Sequence, residues 1–334
     1  MELKCVKVWL ILMLMFITSK RWRVESCLKQ EKSALLQLKH FFNDPYSIQE
    51  WVERDEDSSN CCQWEMIECS NTTGRVIGLD LYYARNQELG EWNLNVSLFS
   101  PFQELETLDL SDNLIAGCVE NEGFERLSHL SNLKGLYLDY NMFNDSRILS
   151  ALSKHSSLKN LSLAYNHLRE LNHFNVAKLN NLEYLDLSGN TFNHNILSYV
   201  STLSSLKELD MYDIGLKGTF DLQELVSLSN LEVLYMGGNQ INKIVFSKGD
   251  AGLRKLYSLS LYNVSISDGN SLFQTLGLLS SLQSFDLWYC NISGRLSGYE
   301  WSLFKSLIEL SIFGSIFDNY LFQMFGIMSS LQPQ

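Results

Sequence analysis

The sequence predicts an α/β repeat solenoid, a horseshoe of short strands in a parallel concave β-sheet behind a disulfide-bonded helical cap. Three observations predict it. A nine-residue apolar pattern recurs at near-constant spacing along most of the chain. Its apolar positions alternate as on a strand with one buried face. Four cysteines cluster just ahead of the first copy.

The pattern reads L-x-x-L-x-L-x-x-N. It is clear in Leu105-Glu-Thr-Leu-Asp-Leu-Ser-Asp-Asn113 and in Leu182-Glu-Tyr-Leu-Asp-Leu-Ser-Gly-Asn190. Ten units begin at Val76, Leu105, Leu133, Leu158, Leu182, Leu206, Leu231, Leu256, Leu282 and Leu307, with intervals of 24 to 29 residues. The fourth and sixth positions point inward. A further apolar residue recurs two positions beyond the ninth, and another three positions before the first leucine, where His155 is the one miss among the later units. One unit cannot bury all of these side chains, but stacked neighbours can, and they then share a continuous core. At the ninth position stand Asn113, Asn141, Asn166, Asn190 and Asn239. Their amides can satisfy backbone groups where the strand turns away. Ala84, Ile214, Val264, Cys290 and Ser315 replace them elsewhere, so Cys290 reads as a small buried ladder residue. These are leucine-rich repeats.

Residues 1–26 read as a secretory signal: Lys4 and Lys7 precede a ten-residue apolar run, Val8 to Ile17, too short to span a bilayer. No other segment could cross a membrane. Without that segment the chain carries 21 basic and 36 acidic groups, a formal charge near −15. Such a chain is a poor partner for nucleic acid, whose phosphates need a positive surface. Hydrophobic residues make up 46% of the chain, which places it among folding rather than disordered sequences. In an oxidising compartment Cys27, Cys61, Cys62 and Cys69 form two disulfides. Cys61 and Cys62 are adjacent and should not pair with each other, which leaves two connectivities.

The repeats and the N-terminal segment together resemble the extracellular region of plant receptor-like proteins and receptor kinases. Cys27-Leu-Lys-Gln-Glu-Lys-Ser-Ala-Leu-Leu-Gln-Leu-Lys39 looks like that family's opening helix, with Leu35, Leu36, Leu38 and Phe42 as its buried stripe. Trp51 and Cys61-Cys62-Gln-Trp64 then lead to Cys69, as in the family's cap. The resemblance implies a cap over residues 27–75 with the pairs Cys27–Cys61 and Cys62–Cys69, followed by ten repeats over 76–330. The family's consensus continues with Leu-x-Gly-x-Ile-Pro. Here Gly117, Gly218 and Gly294 fit but no unit has the Pro, so an irregular outer strand is expected. Leu331 opens an eleventh unit in phase and residues 332–334 stop it. The chain is therefore expected to be a truncated product.

The second, third, fifth, seventh and eighth positions should face solvent and form continuous columns up the concave sheet. Aromatics concentrate there in the last five units. Asp186, Asp210, Tyr212, Tyr235, Tyr262, Asp286, Trp288 and Phe313 are the candidate ligand-binding residues. Aromatic rings anchor binding patches, and carboxylates can hold Lys or Arg of a peptide. Six Asn-x-Ser/Thr sequons, at Asn71, Asn95, Asn144, Asn160, Asn263 and Asn291, are expected glycosylation sites. A glycan on Asn160 would obstruct the middle of the concave face.

No His-Glu-x-x-His, phosphate-binding glycine loop or Gly-x-Ser-x-Gly occurs, and no cofactor or metal site is expected. The strand aspartates imitate paired hydrolase carboxylates, but open sheet columns should lack the enclosure that shifts a carboxylate pKa. The expected function is non-catalytic, extracellular recognition of a peptide or protein ligand, with or without a co-receptor, in defence or developmental signalling. The alternative is a secreted inhibitor resembling the polygalacturonase-inhibiting proteins.

Overall fold

A computed structural model describes residues 27–43, 48–52, 60–145, 147–169, 179–192, 196–247, 252–294 and 304–317. The expected signal segment and the start of the eleventh unit lie outside these residues. Among the described residues no helix is long and apolar enough to cross a membrane.

All ten units supply a strand to one eleven-stranded sheet, in sequence order and parallel. The eleventh strand, Ile67–Cys69 of the cap, pairs antiparallel with Val76–Asp80 and covers that edge. Register follows the repeat: Leu79, Leu108, Leu136, Leu161, Leu185, Leu209, Leu234, Leu259, Phe285 and Leu310 stand side by side. A one-residue slip would turn this row to solvent, so the hydrophobic pattern itself locks the stacking. The row is buried in the first nine units and opens at Leu310.

The outer strand, expected to be irregular, occurs in separate patches. Trp92–Leu94 pairs with Ile115–Cys118, Lys217–Asp221 with Gln240–Val245, and Ser265–Ile266, Asn291–Ile292 and Ile316–Phe317 form a third patch. Units three and five instead cross through short helices, Arg147–Leu152 and Ile196–Val200. His155, the miss in the apolar column, is buried all the same, with Nε2 3.3 Å from the Phe124 carbonyl; burial lowers its pKa.

The cap helix spans Lys29–Phe42. Its buried face is Glu31, Ala34, Leu35, Leu38 and Phe42, which corrects the expected stripe. Leu36 sits about 100° round from Leu35 and is only half-buried, whereas Glu31 lies one turn before Leu35. The Glu31 carboxylate is fully buried and is satisfied twice, by Arg75 Nε at 2.8 Å and by the Leu28 amide at 2.9 Å. Two disulfides, Cys27–Cys61 and Cys62–Cys69, tie the cap down. Trp51 stacks on Trp64 at 5.8 Å, and Phe42 packs edge-on against Trp92 of the first repeat at 5.4 Å.

The ninth-position asparagines form a buried ladder. Asn141 Nδ2 donates to the carbonyls of Leu138, Asp139 and, in the unit before, Leu110, while its Oδ1 accepts from the amides of Asn113 and Ile115. Asn239 repeats this in full, and Asn166 and Asn190 repeat it with one accepted amide each. Asn113 is the exception: its Oδ1 has no partner. The equivalent amide, Asn86 N, donates to Phe42 O of the cap helix instead. Cys290 fills the same place with a thiol, its Sγ 3.2 Å from the Leu261 carbonyl. Ser315 Oγ accepts from Cys290 N and donates to Leu287 O.

Candidate functional site

The eighth position carries a backbone feature absent from the sequence reading. In all ten units it is left-handed, with φ between 48° and 70°. The turn out of the strand requires it. Gly189, Gly238, Gly314, Asp112, Asp213 and Asn263 suit that conformation. Tyr83, Tyr140, Tyr165 and Tyr289 occupy it as bulky residues, for which it is costly. Their rings stand along one rim of the concave face. Tyr140 and Tyr165 stack nearly parallel at 4.5 Å, and the Tyr165 ring lies where a Cβ on Gly189 would be, 2.4 Å from it. Exposed aromatics, expected to concentrate in the last five units, thus also line the early ones through Tyr83, Tyr140 and Tyr165.

Beside Tyr165 the sheet holds a cleft of about 190 Å³ spanning units four to eight, lined by Tyr165, Asp186, Ser188, Asp210, Tyr212, Tyr235, Gly237, Ser260 and Tyr262. Gly237 shapes it. Tyr212 and Tyr262 belong to units six and eight, yet their ring centroids are only 5.7 Å apart because they lean together over the glycine of unit seven. A Cβ on Gly237 would lie 2.6 Å from Tyr262 Cβ and 3.0 Å from Tyr212 Cδ2.

Five of the eight candidate binding residues meet here: Asp186, Asp210, Tyr212, Tyr235 and Tyr262. Asp286, Trp288 and Phe313 do not line the cleft. Trp288 and Phe313 pack edge-on at 6.2 Å, and Trp288 Nε1 donates to Ser311 Oγ at 2.8 Å. They continue the aromatic surface through Tyr289, which touches both Tyr262 and Phe313. Tyr165 was missed as a binding candidate; its only sequence signal is its place at the strained eighth position.

Several columns expected to face solvent are closed over. Ser111, Ser162, Ala164, Ser188 and Gly237 are buried under neighbouring side chains. The carboxylates beside them are correspondingly dry, which overturns the expectation that open columns leave their pKa alone. Desolvation pushes Asp139 up to about 6, with the charges of Asp186 and Asp109 adding to it. Asp210 is likewise raised to about 6, first by desolvation and then by Asp186. Hydrogen bonds oppose both shifts: Ser162 Oγ and the Ala164 amide donate to Asp139, and Ser188 Oγ and the Tyr212 amide donate to Asp210.

Asn71, Asn144, Asn263 and Asn291 are exposed, while Asn95 is half-buried and accepts from Ser97 N. Asn160 is half-buried in the strand Asn160–Ser162, on the concave sheet. Among the described residues no group of three His, Cys, Asp or Glu could hold a metal ion.

Residues 28–70 match the family model described as a leucine rich repeat N-terminal domain, and residues 181–203 match a leucine rich repeat. The chain is 34% identical over 233 residues to Receptor-like protein 9a of Arabidopsis thaliana, across 70% of this chain and 19% of that protein. It is 32% identical over 276 residues to Cuscuta receptor 1 of Solanum lycopersicum, across 71% of this chain and 24% of that protein. The chain thus spans about a fifth to a quarter of the length of these curated relatives. Among solved structures, the ectodomain of the Arabidopsis receptor kinase HAESA, crystallised with the peptide hormone IDA, superposes with a TM-score of 0.57 at 21% identity, across 91% of this chain and 44% of that one. PEPR1–AtPEP1 superposes with a TM-score of 0.59 at 23% identity, across 87% of this chain and 42% of that one.

Proposed function

We propose that this chain, whose cap matches a leucine rich repeat N-terminal domain and whose relatives are plant receptor-like proteins, recognises an extracellular peptide or protein ligand on its concave face. The observation that carries the reading is the aromatic-walled cleft across units four to eight. It gathers side chains from five units onto a rigid sheet, as a recognition site requires. The HAESA structure holds the peptide hormone IDA, and HAESA has also been solved with IDA and the co-receptor SERK1, which supports a peptide ligand and a co-receptor for this chain as well. The two disulfides of the cap suit an oxidising, extracellular location. No observation favours the inhibitor reading over this one.

Glycans on Asn160 and Asn263 would stand at the two ends of the cleft, in units four and eight, and narrow the approach to it. Asp286, Trp288 and Phe313 would extend the contact toward unit ten.

The test is to select a random-peptide display library on the glycosylated, secreted chain, then to measure the selected peptides on a Tyr212→Ala/Tyr262→Ala variant. Removing two ring anchors should weaken binding at least about tenfold. Peptides that bind this variant as well as the parent, with its thermal melt unchanged, would place recognition elsewhere.

A further inference from the structure

We infer that the cleft takes a cationic side chain, a guanidinium or ammonium group of the ligand, between its tyrosine walls and the carboxylates of Asp186 and Asp210. This rests on the recognition reading above and names the chemistry of that site.

Asp186 and Asp210 stand directly opposite each other on neighbouring strands. Like charges in that relation repel, and a fold gains nothing from the pairing itself. Glu208 adds a third carboxylate two residues before Asp210 on the same face. Among the described residues, none of the three has a Lys or Arg within ion-pair distance. The nearby lysines are engaged on the flank of the sheet, where Lys159 and Lys207 both hold Glu183 at 2.6 Å. The cleft thus concentrates negative charge with no counter-charge of its own.

The two carboxylates are also held in position with acceptor capacity left over. Oδ1 of Asp186 takes the Ser188 amide at 2.9 Å. Oδ1 of Asp210 takes Ser188 Oγ at 2.7 Å and the Tyr212 amide at 3.0 Å. Asp186 Oδ2 has only the long contact to Tyr184 Oη at 3.5 Å, and no donor among the described residues reaches Asp210 Oδ2. Two carboxylates with spare acceptor capacity, opposite each other on adjacent strands, suit the forked donors of a guanidinium, or the three donors of an ammonium.

The walls point the same way. Tyr165, Tyr212, Tyr235 and Tyr262 surround the carboxylates, and an aromatic face attracts a cation that lies over it. An anionic group would meet repulsion from the floor. A purely apolar one would strip water from the carboxylates without replacing its hydrogen bonds. At about 190 Å³ the space fits the end of one side chain rather than a whole peptide.

The experiment uses the same random-peptide library on three proteins: the full chain, Asp186→Asn/Asp210→Asn, and Tyr212→Ala/Tyr262→Ala. The asparagine pair keeps shape and acceptor oxygens, and its thermal melt reports folding. Binders of the parent should be enriched in Arg or Lys at one position. They should lose about tenfold or more in affinity on the asparagine pair, and a similar amount when that Arg is replaced by citrulline. Binders that depend on Tyr212 and Tyr262 but show no cationic enrichment, or are indifferent to the asparagine pair, would overturn the cation assignment and leave the recognition reading standing. A library yielding no binder sensitive to either variant would overturn both.

Discussion

Units three to five and units nine to ten make the same step from strand to turn with different chemistry at the ninth position. In the early units a buried asparagine bridges two neighbours, donating to carbonyls on its own unit and the one before and accepting an amide in return. In the late ones the links are fewer: Cys290 Sγ reaches Leu261 O and Trp288 O, and Ser315 Oγ donates to Leu287 O and accepts from Cys290 N. The difference shows that the ladder is a backbone requirement rather than an asparagine requirement. Any small donor that reaches the carbonyl of the preceding unit meets part of it. What the late units give up is multiplicity, and with it stiffness between neighbours.

The largest expected effect breaks the early ladder. Asn166→Ala removes one acceptor and three donor contacts at once and leaves buried carbonyls unpaired. It should destabilise the chain by about 3 kcal/mol, against about 1 kcal/mol for Cys290→Ala, as read from urea melts of the two variants side by side. Equal losses would mean that the two regions do not differ.

A smaller effect is expected at the concave face. Gly237→Ala places a methyl against Tyr262 Cβ and its carbonyl, at 2.6 and 2.8 Å, where backbone has to shift. The cost should be about 1–3 kcal/mol in a urea melt, and affinity for the selected peptides should fall with it as Tyr212 and Tyr262 are pushed apart. A glycine change in the late units, Gly314→Ala at the left-handed eighth position, meets the Tyr289 ring at 2.7 Å; its strain is local, and it should leave those peptides bound.

The smallest effect is a pH dependence confined to the dry carboxylates. Asp139 and Asp210 are held up to about 6, whereas an unfolded aspartate titrates near 4. Between these values the folded chain binds more protons than the unfolded one. Their contribution is therefore fully present below about pH 4 and is lost as pH rises through 6. Each should contribute on the order of 1 kcal/mol to that slope. Thermal melts across pH 4 to 7 should show a shallower dependence in Asp139→Asn and Asp210→Asn than in the parent. An unaltered slope would show that these groups are better hydrated than their surroundings suggest.

The repeat number, the strand register and the buried ladder were all legible in the sequence, because a repeat states each environment ten times. Leu79 and Leu209 face the same core for the same reason, and a single phase assigns both. The cap was legible through Cys61-Cys62-Gln-Trp64, although the residues alone left two disulfide connectivities open until the fold paired Cys27 with Cys61. Five of the candidate site residues converge, because stacking in register turns one repeat position into a spatial column. Tyr165 escaped notice because the eighth position looks like free surface in the sequence, and its left-handed backbone becomes visible only once the turn is built.

By itself, then, the sequence determined everything that depends on period: which side chains face inward, how the units stack, and that the outer face would be uneven without the family's proline. Only the tertiary structure decided what depends on the identity of a neighbour one or two units away. Tyr212 meets Tyr262 because unit seven offers Gly237 between them. Asp139 and Asp210 lose water because Ser162, Ser188 and the surrounding rings close over columns that an isolated strand would leave open. Periodicity is a property of one chain read along its length. Desolvation and ring contact depend on particular pairs of side chains brought together across it.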